Sequence, residues 1–176
     1  FDAALPELEQ ALKWAEQVHG PDSSELARVL TALGDLARQT DKLDQALALH
    51  TRALALDSQV LGEGHPALAR HHHNLAGVLR RLGRQEAALV SYQRARALEL
   101  QLGARQPAVG LTDNSIGLVL AALGKPREAR ASFEQAESIL REANDPDQAH
   151  PLLNLAELDV AEGHTKEAID RLGEAI

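Results

Sequence analysis

Cysteine and methionine are both missing from this chain. The first absence removes any disulfide framework, thiolate metal site or cysteine nucleophile. The second, which extends to the initiator, leads us to expect a piece of a longer chain. Aromatic residues make up only 2% of the sequence against a hydrophobic content of 44%, so a core has to be built from Leu, Ala, Val and Ile. Runs of β-branched and aromatic residues at period two are lacking, which argues against sheet. No stretch approaches the ~18 consecutive apolar residues of a membrane span, and no signal peptide is visible. Basic charge is also short. A formal net charge of −8 disfavours general nucleic-acid binding, which needs a basic surface.

What the sequence does have is internal periodicity. Gly83 aligns with Asp41, Gly124 and Gly163; Ala88 aligns with Ala46, Ala129 and Ala168, and further back with Ala4. Tyr92 falls on His50, Phe133 and Leu172, and Ala95 on Ala53, Ala136 and Ala175. Such columns held in phase over four units mark a helical repeat. Its stability then comes from each unit packing on its neighbours rather than from one central core.

Each unit reads as two amphipathic helices. The first helix of the first full unit carries Leu26, Val29, Leu30, Leu33, Leu36 and Ala37 at three- and four-residue steps. Asp22 is placed to cap its start, with Glu25 reaching back. Thr40-Asp41-Lys42 is a turn, and the second helix covers about 43–61 before Gly62. Further helices are expected at about 66–82, 85–102, 107–123 and 126–142, then one ending near Glu162 and one from about 165. Pro66, Pro107 and Pro146 stand near helix starts, where a missing N–H is harmless. Pro6 likewise suits a first turn. Pro151 leaves two alternatives: the helix begins there with Pro146 in the loop, or it kinks near its beginning. The units are therefore a partial one at 1–20, then about 21–62, 63–104, 105–143 and 144–176, the last truncated. Both ends fall inside a unit, which strengthens the expectation of a fragment.

These columns resemble the tetratricopeptide repeat. The pattern of a Leu-Gly or Leu-Ala pair in the first helix, a turn Gly, then Ala, Tyr/Phe and Ala is carried by Leu33-Gly34, Leu75-Ala76, Ile116-Gly117 and Leu155-Ala156. The common repeat has ~34 residues, whereas column spacings here run from 39 (124 to 163) to 42 (41 to 83). That longer form is similar to the kinesin light chain type of repeat, through LGEGHPALARHHHNLAGVLRRLGRQEAALVSYQRA and LGARQPAVGLTDNSIGLVLAALGKPREARASFEQA. Gln106-Pro107 replaces His-Pro in the third unit, and the fourth has a shortened junction. The resemblance implies an all-α, right-handed α-solenoid of antiparallel helix pairs whose concave face, lined by first helices, holds a peptide or partner helix. It also looks like repeats found in many bacterial signalling proteins, and the Ala/Leu/Arg/Gln-rich composition leans that way; a cytoplasmic setting is expected.

Helix geometry selects the lining, since positions three, seven and ten apart share a face. The first unit presents Arg28, Thr31, Asp35 and Arg38. The second presents Arg70, His73, Gly77 and Arg80 with Asn74 adjacent, and the third Leu111, Asn114, Leu118 and Ala121. The fourth presents Leu153, Glu157 and Val160 with Asn154 adjacent. The lining is polarised, cationic in its first half and apolar in its second. It suits a segment with carboxylates at one end and Leu-like anchors at the other, because arginine forks pair bidentately with carboxylates. The competing structural reading is that the arginines form helix salt bridges, such as Arg38 with Asp41 or Asp35. Chaperone-binding tetratricopeptide domains resemble one another in a clamp of Lys and Asn. The matching positions here are Thr31, Asp35, Asn74, Leu111 and Ser115, of which only Asn74 fits, so capture of a chaperone C-terminus is not expected.

Other chemistry finds little footing. His71, His72 and His73 point about 100° apart around a helix and cannot chelate one ion together. His50 occupies the Tyr92 column and is expected to be packed. A metal site is not expected, nor a cofactor; a buried histidine that tunes binding below neutral pH is the better reading. There is no Gly-rich phosphate loop, and Ser115 with Asn114 and Asp113 lacks a base nearby. The expected role is a protein-interaction scaffold without catalytic residues. The alternatives are a regulatory region of a larger signalling protein and self-assembly through the incomplete ends.

Overall fold

The computed structural model describes residues 4–20 and 23–175. Among these described residues nine α-helices follow one another: α1 (Ala4–His19), α2 (Ser24–Gln39), α3 (Leu43–Leu61), α4 (Ala69–Arg81), α5 (Gln85–Glu99), α6 (Pro107–Ala122), α7 (Pro126–Glu142), α8 (Ala149–Glu162) and α9 (Thr165–Glu174). No strand occurs among the described residues. Helices α2 and α3, α4 and α5, α6 and α7, and α8 and α9 pack as hairpins, and each hairpin stacks on the next through α3–α4, α5–α6 and α7–α8. The result is the expected solenoid of antiparallel pairs.

The turn inside each hairpin has one physical cause. Asp41, Gly83, Gly124 and Gly163 all sit at positive φ, between 61° and 83°. The next residue in each case donates its N–H five residues back, as Lys42 does to Ala37 O (2.8 Å) and Arg84 to Leu79 O (2.9 Å). This Schellman closure consumes carbonyls the helix end would otherwise leave unpaired. Glycine is the residue that adopts it freely, which is why the glycine column marks the turns and why Asp41 is its outlier.

The small and large columns interlock. Ala46, Ala88, Ala129 and Ala168 are buried, as are Ala53, Ala95 and Ala136. His50 and Phe133 lie against the first-helix glycines Gly34 and Gly117: a Cβ placed there would come within 2.8 Å and 2.4 Å of the respective rings. Tyr92 belongs to the same central cluster as Ala76, Ile116, Phe133 and Leu155. Within this column, His50 and Phe133 each fill a glycine notch and Tyr92 packs beside Ala76.

Several local expectations are corrected. The cap of α2 is Ser23, whose Oγ accepts from Leu26 N at 3.1 Å; Asp22 lies outside the described residues. Pro66 and Pro146 open short 3₁₀ turns, Pro66–Leu68 and Pro146–Gln148, ahead of α4 and α8. The side chains of His65 and Asp145 cap these turns, accepting from Ala67 N and Asp147 N. The helix starts just ahead of Pro151 rather than at it: α8 begins at Ala149, so Pro151 is the third residue of its first turn, where no intrahelical N–H is needed. Pro6 holds the same place in α1. Helix α5 stops at Glu99 rather than near 102.

Candidate functional site

Successive first helices α2, α4, α6 and α8 carry the residues predicted to line the groove, and the structure sorts them. Arg28 and Arg70 are exposed; Arg38, His73, Asn74, Arg80, Leu111, Asn114, Leu118 and Asn154 are half-buried. Thr31 is a correction. It is 4% exposed, its hydroxyl donates to Ala27 O at 2.9 Å, and it is closed off from a ligand. Asn154 spends a donor on a neighbour, Nδ2 giving to Asn114 Oδ1 at 2.8 Å. Arg38 pairs loosely with Asp35 at 3.7 Å, as the competing reading anticipated, whereas Asp41 takes Arg81 (2.7 Å) instead. Such exposed pairs contribute only ~0–1 kcal/mol.

Three predicted residues line a different hollow from Arg70. Leu153, Glu157 and Val160 gather instead with Ala156 and Leu172 around an apolar hollow of about 330 Å³ at the α8–α9 end. Leu153 is 41% exposed and Val160 63%.

The second hollow lies between α4 and α6. It measures about 400 Å³ and is lined by Pro66, Ala67, Ala69, Arg70, His73, Glu99, Leu102, Ala108, Leu111 and Thr112. Three predicted residues, Arg70, His73 and Leu111, converge here. Glu99 and Thr112 were not foreseen. Thr112 Oγ1 donates to Glu99 Oε1 (3.1 Å). With that proton committed, His73 Nδ1–H is the donor to Thr112 Oγ1 at 2.9 Å. The His73 ring also meets Tyr92 edge-on, centroids 5.1 Å apart.

Electrostatics follow from enclosure. Burial pushes the Glu99 carboxyl up to about 7, against the Thr112 hydrogen bond that lowers it; Asp113 adds repulsion and Arg96 opposes it. Burial lowers the pKa of His73, helped by Arg38, and does the same to His72. His50 is fully enclosed, and burial lowers its pKa despite Asp35. Asp113 is raised by burial although Arg96 hydrogen-bonds both its oxygens. Burial works against the Asp159 carboxylate too, but Arg130 and Arg171, each 2.8 Å away, outweigh it and hold its pKa down.

One unit earlier the polar chain recurs with its members exchanged. His71 Nε2 stands 2.7 Å from Asp57 Oδ2, and His71 Nδ1 stands 3.5 Å from Thr31 Oγ1. Acid, imidazole and hydroxyl in sequence evoke a nucleophile relay. Here the hydroxyl is buried and its proton goes to a helix carbonyl, and the next copy swaps the imidazole and hydroxyl positions. The arrangement joins neighbouring repeats. Among the described residues no group of three or more His, Asp or Glu is placed to hold a metal ion, and no helix is long and apolar enough to cross a membrane.

Fold and groove define an α-solenoid of the repeat class. The tetratricopeptide repeat model matches residues 1–59, 33–101 and 108–176, and the chain belongs to the tetratricopeptide repeat family. Among curated proteins the sequence has no match. Solved structures agree on the fold. BtubC (BKLC) from P. vanneervenii superposes with a TM-score of 0.84 at 22% identity, covering 99% of this chain and 71% of that one. A putative kinesin light chain with nearly identical TPR-like repeats from Podosopora anserina, in its Q17M form, gives 0.81 at 19% identity, covering 99% and 84%. A Rap protein complexed with Competence and Sporulation Factor gives 0.79 at 21% identity; the match covers 98% of this chain and 48% of that longer one.

Proposed function

We propose that the chain is a protein-interaction scaffold that captures a partner segment along its first-helix groove, a binding rather than a catalytic role. The observation that carries this is the hollow between α4 and α6, where exposed Arg70, half-buried His73 and Leu111 converge on about 400 Å³, within the size range of ligand sites. The Rap protein structure, solved in complex with Competence and Sporulation Factor, supports a peptide-like partner. Arg28, Arg38, Arg70 and Arg80 favour carboxylates on that partner, and Leu111 and Leu118 receive its apolar residues. Asn74 and Asn114 contact its backbone. Leu153 and Asn154 belong to the far end of the same groove. The setting we favour is cytoplasmic and bacterial, with this array as one region of a larger signalling protein.

The test is a pull-down with the wild type beside an Arg70→Glu/Arg80→Glu double variant. A partner recovered only by the wild type supports the groove; equal recovery contradicts it. Arg80 is half-buried, its Nε without a hydrogen-bond partner among the described residues, so a melting curve and the single Arg70→Glu variant accompany the double one.

A second reading, end-to-end self-association, has its own observation. Trp14 and Val18 are exposed on α1, and Leu153, Val160, Ile169 and Leu172 are exposed near the opposite end. Light scattering over a concentration series tests it; a constant monomer mass would exclude it.

A further inference from the structure

The hollow between α4 and α6 contains a polar atom that the fold leaves unused. Glu99 is 7% exposed and lines the hollow. Its Oε1 accepts from Thr112, while Oε2 is buried without a hydrogen-bond partner among the described residues. A buried acceptor left unpaired is costly, so a donor brought to it is favoured beyond its own contacts.

We propose that this hollow is a subsite for one lysine-like side chain of the partner segment, its ammonium seated on Glu99 Oε2. The proposal deepens the groove reading and rests on it. The walls fit the stem: Pro66, Ala67, Leu102, Ala108 and Leu111 are apolar and would cover an aliphatic chain, as such stems prefer. An ammonium is favoured over a guanidinium because only one oxygen is free. The planar arginine fork binds best when both carboxylate oxygens accept it, and Oε1 is already engaged.

The charges around Glu99 set the rest of the recognition. Arg96 stands one turn back on α5 but is held by Asp113 of α6, so it is not released to neutralise Glu99. His73 of α4 faces the site through Thr112, and its lowered pKa keeps it neutral around pH 7. Arg70 of α4, exposed at the rim, favours a carboxylate beside the lysine. The segment recognised is therefore a lysine with an acidic neighbour. Seating an ammonium also draws the proton off Glu99, whose pKa burial has raised to about 7, so capture strengthens with pH up to neutrality.

The experiment titrates ¹⁵N-labelled protein with n-butylammonium at pH 7.5, with butyrate and butanol as controls. We expect saturable shifts confined to residues near Glu99, His73 and Thr112 for butylammonium alone. They should weaken at least fivefold in Glu99→Gln and in the wild type at pH 5.5. The variant's circular dichroism and melting curve check its fold, and the wild-type pH arm stands without it. Butyrate or butanol binding as well, or butylammonium binding undiminished in Glu99→Gln, would overturn the proposal, as would no binding. Loss of the partner on charge reversal at Arg70, together with a failed butylammonium titration, would sink the subsite and leave the groove reading standing.

Discussion

His73 Nδ1 and Thr112 Oγ1 lie 2.9 Å apart, and this pair joins the first helix of one unit to the first helix of the next. The same positions one unit earlier hold Thr31 and His71, with hydroxyl and imidazole exchanged. Each pair ends on an acid from the intervening second helix, Glu99 in one case and Asp57 in the other. At the following junction the equivalent positions hold Leu140 and Pro151, both buried, and Asn114 turns to Asn154 instead.

The chain from Glu99 through Thr112 to His73 sets the first expectation. Thr112→Val keeps the shape but strips Glu99 Oε1 and His73 Nδ1 of their partner. The loss should be about 1–3 kcal/mol, read as a lower urea midpoint. A change below ~0.5 kcal/mol would show that the junction is held by packing alone.

Glu99 also makes stability depend on pH. Its folded pKa, about 7, exceeds the ordinary 4.5, so the folded state binds more protons than the unfolded state between those values. Its contribution is therefore most favourable below pH 4.5 and is lost as pH rises towards 7. Glu99→Gln should gain on the wild type by about 2 kcal/mol on going from pH 5 to pH 8. An advantage that stays flat over that range would mean that the folded carboxyl is ordinary.

His50 is the exception in an aromatic column. It is fully enclosed and neither ring nitrogen has a hydrogen-bond partner among the described residues, while Phe133 fills the matching notch with a hydrocarbon ring. His50→Phe should stabilise the fold by about 1–2 kcal/mol. The gain should grow as pH falls below 6.5, because a histidine with a lowered folded pKa loses stability on the acid side. Destabilisation at every pH would show that the notch is cut for the smaller imidazole.

Two glycines separate packing from propensity. A Cβ at Gly117 would come 2.4 Å from the Phe133 ring, whereas at Gly77 it would stand 3.6 Å from the Tyr92 hydroxyl. Gly117→Ala should destabilise by about 1–3 kcal/mol. Gly77→Ala should be neutral or stabilise by up to ~1 kcal/mol, the helix preference for alanine. Equal thermal shifts would refute the difference.

The helices were legible because glycine, proline and apolar spacing agree along the chain: α3 runs Leu43–Leu61 as expected. Caps were harder to place, since Asp22 and Ser23 are both good caps and only geometry chooses between them. The groove was legible in part. Helical spacing identifies a face but not how far the neighbouring helix covers it, so Thr31 was assigned to the groove although its neighbours enclose it. Glu99 sits on a second helix, α5, off the face that helical spacing selects on the first helices. A signal existed: Asp57 and Glu99 are acids in one repeat column, accompanied by exchanged Thr and His in two others.

The central claim, capture of a segment between α4 and α6, is tested most directly by hydrogen–deuterium exchange with and without the partner recovered in the pull-down. The account predicts added protection in residues 66–81 and 107–118. Protection confined to α5 and α7, or to the α8–α9 end, would contradict it.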